Sequence, residues 1–172
     1  MNTQNPMLEP RVAKVTINIG VGEAGEKLEK AMKVLERLTG RKPIKTISKT
    51  TNKDFGIRKG LPIGCKVTLR KKEAEDFLKK VFALRDNKIP SYSFDDEGNF
   101  SIGIPDYTLF PDQKYDPDIG IFGMDICVTL ERPGYRIKHR KIARRKIPKR
   151  HRITRKEAME FISKKFNVEV VR

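Results

Sequence analysis

The sequence predicts an α+β fold: a mainly antiparallel sheet with helices on one face, the other face open, and a basic C-terminal extension. Three observations carry this reading. Several short segments alternate apolar and polar residues and none is apolar on both faces, as expected of strands covered on one side only. Three other segments place apolar residues at spacings of three and four, as helices that bury one stripe do. The charge is also unevenly spread. Of 38 Lys and Arg residues, 12 lie between Tyr135 and Lys156 with no acid among them. The other 26 face 22 Asp and Glu, a net +4, so the body is mildly basic and the tract is a separate electrostatic feature. The division expected is a single α+β domain over 1–131 with a protruding loop at 49–62. Residues 132–172 form the basic extension and a C-terminal helix packed on the same domain.

Met1 to Pro10 is polar and expected to be loose. Arg11 to Ile19 alternates, with Ala13, Val15, Ile17 and Ile19 inward and Lys14, Thr16 and Asn18 outward. Gly20-Val-Gly-Glu-Ala-Gly25 turns the chain. Glu26 to Thr39 reads as a helix burying Leu28, Ala31, Met32, Leu35 and Leu38; Glu26 and Glu29 suit its first turn and Gly40 its end. Pro43 to Ser48 is a short, weak strand. Thr50 to Leu61 is a polar, cationic loop with bends at Gly56 and Gly60. It feeds a strand ending at Arg70, with Cys65, Val67 and Leu69 on one face and Lys66, Thr68 and Arg70 on the other. Lys72 to Leu84 is a second helix burying Ala74, Phe77, Leu78, Val81 and Phe82. Asp86 to Pro90 reads as loop and Asp95-Asp-Glu-Gly98 as a turn into a strand at Asn99 to Ile104. Pro105 to Gly120 is a long loop. Ile121 to Glu131 is the last clear strand, with Met124, Ile126, Val128 and Leu130 on one face and Asp125, Cys127 and Thr129 on the other. Thr154-Arg-Lys-Glu157 is a capping box that opens a third helix, and Asn167 to Arg172 can add an edge strand.

The chain has 172 residues, enough for one domain with its own core. A formal net charge of +16, with 35% charged residues against roughly 25% in an average domain, points to a polyanionic partner. The apolar runs are too short to span a bilayer, and the N-terminus lacks the plan of a signal peptide. Cys65 and Cys127 stand alone in apolar-patterned segments and read as buried, reduced thiols suited to the cytosol. The open face would carry Lys14, Thr16, Asn18, Lys66, Thr68 and Arg70. Such an array of cations, amide and hydroxyls matches ribose and phosphate oxygens, so the expected partner is RNA. In the tract, Arg136, Lys138, Arg140, Lys141, Arg144, Arg145 and Lys146 are the cations expected on the RNA. The alternative for this tract is a solvated disordered linker. Four isoleucines spread through it and the capped helix beyond it favour an extension that orders on RNA.

Other arrangements in the chain have simpler readings. Gly20-x-Gly22-x-x-Gly25 matches a dinucleotide fingerprint, and the alternative function is a nucleotide-binding enzyme or regulator that uses this turn. Against it, Lys14, Thr16 and Asn18 interrupt what should be a doubly buried strand, and Glu23 would repel a pyrophosphate. Asp112, Asp116 and Asp118 fit no calcium loop, and Asp95 and Asp96 are explained by a turn. No Ser–His–acid or Cys–His arrangement stands out. The expectation is no enzyme, no metal and no cofactor. Phe55 has two readings of equal weight: it folds back to pin the loop, or it stacks on a base or ribose. A hairpin of ~12 residues reaches at most about 20 Å at ~3.3 Å per residue.

Three ordered stretches carry a resemblance: Lys14-Val-Thr-Ile-Asn-Ile-Gly-Val-Gly-Glu-Ala24, Thr39-Gly-Arg-Lys-Pro43, and Phe55-Gly-Ile-Arg-Lys-Gly-Leu-Pro-Ile-Gly-Cys-Lys-Val-Thr-Leu-Arg70. They resemble the large-subunit ribosomal protein L five family. Ser93-Phe-Asp-Asp-Glu-Gly-Asn-Phe100, Phe110-Pro111 and Gly123-Met-Asp-Ile126 extend the likeness to about Leu130. Arg132-Pro-Gly134 and His151-Arg-Ile-Thr-Arg-Lys-Glu-Ala-Met159 are similar to the archaeal and eukaryotic form. The resemblance implies a structural constituent of the cytoplasmic ribosome that binds 5S rRNA and seats it in the central protuberance. It implies contacts with large-subunit rRNA and other large-subunit proteins, and no membrane. Asn18 and Thr68 fit its RNA-binding face, with Arg41 and Lys42 beside them. Where the family's motif has Gln, this chain has Arg41, which suits a phosphate contact. The resemblance also implies that Asn52, Lys53, Phe55, Gly56, Ile57, Arg58 and Lys59 touch P-site tRNA. A bridge to small-subunit head protein S thirteen is implied as well, for which Asp112, Asp116 and Asp118 are the candidates.

Overall fold

The computed structural model describes residues 5–171; Met1–Gln4 of the expected loose start, and Arg172, lie outside the described residues. Ten elements follow in order: β1 (Arg11–Gly20), α1 (Glu26–Thr39), β2 (Ile44–Ile47), β3 (Pro62–Leu69), α2 (Lys71–Leu84), β4 (Lys88–Pro90), β5 (Phe100–Ile104), β6 (Met124–Glu131), α3 (Arg155–Phe166) and β7 (Glu169–Val171). Five strands form one sheet in the order β2-β3-β1-β6-β5, and β4 and β7 form a second, two-stranded sheet. The large sheet is mainly antiparallel, and three helices accompany it, as an α+β chain requires.

The chain divides into two compact units. The first comprises the described parts of Met1–Val15, Arg70–Ser101 and Val128–Arg172, and the second Thr16–Leu69 and Ile102–Cys127. In the second unit, strict alternation in β1 and β3 buries Ile17, Ile19, Cys65, Val67 and Leu69. α1 lies against β3 and buries Leu28, Ala31, Val34 and Leu35. Val34 takes the place predicted for Met32 and Leu38, which are half-buried. Gly40 ends α1 in the left-handed conformation at φ 64°, its N–H donating to the Glu36 carbonyl at 2.8 Å. β2 is one edge strand of the large sheet, antiparallel to β3 with Ile44 opposite Lys66 and Thr46 opposite Gly64, and the register shifts between Thr46 and Ile47. Gly64 is required at that place: a Cβ there would sit 2.7 Å from the Ile19 carbonyl oxygen and 2.8 Å from Thr46 Oγ1.

In the first unit, α2 buries Ala74, Phe77, Leu78, Val81 and Phe82, as its spacing predicts. Phe82 meets Phe166 edge-on at 5.2 Å and stacks on Phe100 at 6.3 Å. The capping box of α3 is complete: Thr154 Oγ1 accepts from the Glu157 N–H, and Glu157 Oε2 accepts from the Thr154 N–H at 2.9 Å. Lys88–Pro90, expected as loop, is instead β4. It runs parallel to β7 with Ile89 opposite Val170, so the last strand extends this small sheet and not the large one. A local turn and a distant partner together set this. Asp86 and Asn87 turn out of α2 with φ of 51° and 55°, and the Asn87 carbonyl accepts from the Glu169 N–H at 2.8 Å.

Candidate nucleic-acid interface

The alternation that buries one face of β1 and β3 presents the other. In the second unit Lys66 and Thr68 are exposed on β3, and Thr16 and Asn18 are half-buried on β1. Arg41 and Lys42 are exposed on the turn between α1 and β2. Lys14 precedes Thr16 by two residues in β1 and is half-buried, and Arg70 is exposed directly after β3; both belong to the first unit. β1, β2 and β3 contain no Asp or Glu, and their charged side chains, Arg11, Lys14, Lys45 and Lys66, are all cationic. Two exposed cations were missed by the sequence reading, Lys45 on β2 and Lys49 just after it. The signal that could have found them is the acid-free run from Gly40 to Thr51.

The 49–62 loop is a structured hairpin. Asn52 and Ile57 exchange backbone hydrogen bonds at 2.9 and 3.0 Å, and Gly56 closes the tip at φ 65° with its N–H on the Lys53 carbonyl. Asn52 Oδ1 accepts from the Asp54 N–H, and Thr51 Oγ1 accepts from the Lys59 N–H. At the root, Ser48 N–H donates to Leu61 and Gly60 N–H to Ser48. Phe55 does not pin the loop. It stands at the tip 76% exposed, with Lys53, Arg58 and Lys59 exposed around it and Asn52 and Ile57 half-buried.

The acidic loop residues differ among themselves. Asp116 Oδ2 pairs with Arg37 Nη1 of α1 at 3.1 Å, and its Oδ1 accepts from the Asp118 N–H at 3.2 Å. Asp116 therefore ties the loop to the helix; Asp112 and Asp118 are more exposed than Asp116. Arg37 and residues 112–117 line an open surface hollow.

In the basic tract, Tyr135 and Ile147 are buried, and Arg136, Arg140, Lys141, Arg144, Arg145 and Lys146 are exposed. Lys138 is held against the fold, 3.2 Å from Glu131 Oε1 and 4.7 Å from the Tyr135 ring centre. Arg132 is buried, its Nη2 donating to Glu157 Oε1 at 2.7 Å. His151 is engaged internally, Nε2 lying 2.9 Å from the Pro133 carbonyl oxygen.

Chemistry elsewhere is sparse. Burial pushes the Cys65 thiol up to about 11. Cys127, expected to be buried, is exposed because it occupies the outward register of β6. Partial burial first and the charge of Asp125 second raise its pKa, so neither thiol is a ready thiolate. The glycine turn is tied to β3: Val21 and Gly22 N–H both donate to the Ile63 carbonyl, at 3.0 and 2.8 Å, so these two amides are already engaged. Among the described residues no cluster of three or more His, Cys, Asp or Glu is placed to hold a metal, and no helix is long and apolar enough to cross a membrane.

Residues 5–58 match a family model described as Ribosomal protein L5, and residues 62–161 match a second model, described as the C-terminus of the same ribosomal family. The chain is 55% identical to "Large ribosomal subunit protein uL5" of Methanococcus maripaludis, covering 98% of this chain and 95% of the relative. It is 55% identical to the protein of the same name from Sulfurisphaera tokodaii, covering 98% and 96%. For Methanococcus aeolicus the identity is 51%, covering 97% and 94%. With both halves matched by the family's models and relatives aligned along nearly its whole length, the chain belongs to the ribosomal protein L5 family.

Proposed function

We propose that this ribosomal protein, a structural constituent of the large subunit in the cytoplasm, binds 5S rRNA through the open face of β1 and β3 and anchors it in the central protuberance. It works without catalysis. Positive field attracts the RNA, and neutral side chains then select its shape. The observation that carries the reading is the alternation over β1 and β3. Fully buried Ile17 is followed by accessible Asn18, and buried Val67 by exposed Thr68, with no acid on either strand. The 49–62 hairpin, with Phe55 and three cations at its end, reaches P-site tRNA. The 112–118 loop faces protein S thirteen of the small-subunit head, where exposed acids suit a basic partner.

The test is filter binding of 5S rRNA at fixed salt. Asn18→Ala with Thr68→Ala should weaken binding about 5- to 150-fold, for two lost hydrogen bonds of about 0.5–1.5 kcal/mol each. The salt dependence should not change, since neither residue is charged. An unchanged affinity removes the sheet face from the account. The dinucleotide alternative is disfavoured by the inward-turned amides of Val21 and Gly22. Equilibrium dialysis with a dinucleotide should detect no binding.

A further inference from the structure

The basic tract contains a small closed loop that its charge alone does not explain. After a helical turn at Tyr135–Lys138, the Arg145 N–H returns to the Ile137 carbonyl at 3.3 Å. Inside it, the Arg140 guanidinium clips the chain, Nε and Nη2 donating to the Ala143 carbonyl at 2.9 and 2.6 Å. Ala143 takes a left-handed φ of 52°, a conformation that a side-chain-bearing residue holds only when its surroundings enforce it. These ties push Ile142 out at the apex, 82% exposed, the most exposed large hydrophobic residue described. Ile147 and Ile153 of the same tract are buried at 8% and 1%. Around Ile142 stand exposed Lys141, Arg144, Arg145 and Lys146, and there is no acid from Arg132 to Lys156.

We propose that the Arg140–Arg145 loop is a preformed RNA-docking element in which Ile142 lies against a base or sugar face while its flanking cations take the phosphates. The proposal rests on the family reading above, but it names a second RNA contact, independent of the sheet face. The charge decides the occupant. A lone isoleucine among cations meets its complement in a polymer that offers anionic oxygens and apolar ring faces within one nucleotide. A membrane surface needs a continuous apolar face, and one side chain supplies too little apolar area to hold it there. Because the loop is clipped before binding, little ordering entropy is lost on docking.

The experiment compares the full chain with Ile142→Ala and with Lys141→Ala/Arg144→Ala. Probes are a 5S rRNA transcript and, separately, large-subunit rRNA, each titrated at several salt concentrations. Anionic phospholipid vesicles are the third probe. Ile142→Ala should keep the wild-type unfolding midpoint. It should bind one of the two RNAs about five- to tenfold more weakly, as expected for losing the side chain beyond Cβ from an apolar contact, with an unchanged salt slope. Lys141→Ala/Arg144→Ala should reduce the slope by about 1–2 on the same RNA. Ile142→Ala binding both RNAs like wild type overturns the proposal, as does a loss confined to the vesicles. If Asn18→Ala/Thr68→Ala binds normally while Ile142→Ala does not, the sheet-face reading fails and this one stands.

Discussion

Truncating Glu157 should destabilise the protein more than replacing Arg132, although the two side chains form one ion pair. The asymmetry follows from burial. The Arg132 side chain is 8% exposed and that of Glu157 is 44% exposed. In Glu157→Ala the guanidinium loses its 2.7 Å partner and cannot turn to water. The helix also loses the carboxylate that accepts from the Thr154 N–H. A cap is worth about 0.5–2 kcal/mol and a charge-assisted hydrogen bond about 1.5–3, reduced here because the carboxylate is partly solvated. The expected loss is about 2–4 kcal/mol. In Arg132→Met the carboxylate turns to solvent and keeps its capping role, and methionine fills a similar space. The replacement also removes Arg132 Nε, which is buried with no hydrogen bond among the described residues. A loss of no more than about 1–2 kcal/mol is expected. Urea unfolding followed by far-UV circular dichroism measures both. A greater loss in Arg132→Met than in Glu157→Ala would refute the burial argument. The pair also carries a pH signature. Desolvation raises the Glu157 pKa, but hydrogen bonds from Thr154 and then the charge of Arg132 outweigh it and hold the carboxyl below the ordinary 4.5. A carboxyl lowered in the folded state stabilises fully above about 4.5 and loses that contribution as pH falls through its folded value. The stability gap between wild type and Glu157→Ala should therefore narrow as the pH falls below about 4.5.

Three further outcomes are expected. Gly64→Ala should cost about 1–3 kcal/mol in urea unfolding and speed hydrogen exchange in β2 and β3, because its Cβ meets the Ile19 backbone. Gly103→Ala, whose Cβ would come no nearer than 3.7 Å to Asp125, should be close to neutral; equal losses in the two would remove the steric explanation. Deleting Lys53–Lys59 should leave 5S rRNA affinity and the unfolding midpoint unchanged while altering P-site tRNA occupancy, with Phe55→Ala shifting it in the same direction. A collapse of 5S rRNA affinity would end that division of labour. Asp112→Lys with Asp118→Lys should weaken subunit joining in light-scattering assays. Asp116→Asn should instead lower stability by up to about 1 kcal/mol through its exposed Arg37 pair, and unaltered joining in the double variant would discard the bridge.

The periodic elements were legible in the amino-acid order alone. Alternation located β1, β3, β5 and β6, three-and-four spacing located α1 and α2, and the Thr154–Glu157 box marked the start of α3. Each signal works because its elements bury every second residue or one helical stripe, so the pattern is written in neighbouring positions. The positive, acid-free strands were legible for the same reason. Tertiary structure decided what has no period. Three residues at Lys88–Pro90 are too few to alternate, and only the returning chain at Glu169–Val171 makes them a strand. Asp116 lies 79 residues from Arg37, and no local pattern distinguishes it from exposed Asp118. Four isoleucines in one basic tract look alike in order, yet two enter the core and the loop closed by Arg140 turns Ile142 outward. Long-range closure distributes those side chains between core and surface, and it depends on contacts whose partners lie far away in the chain.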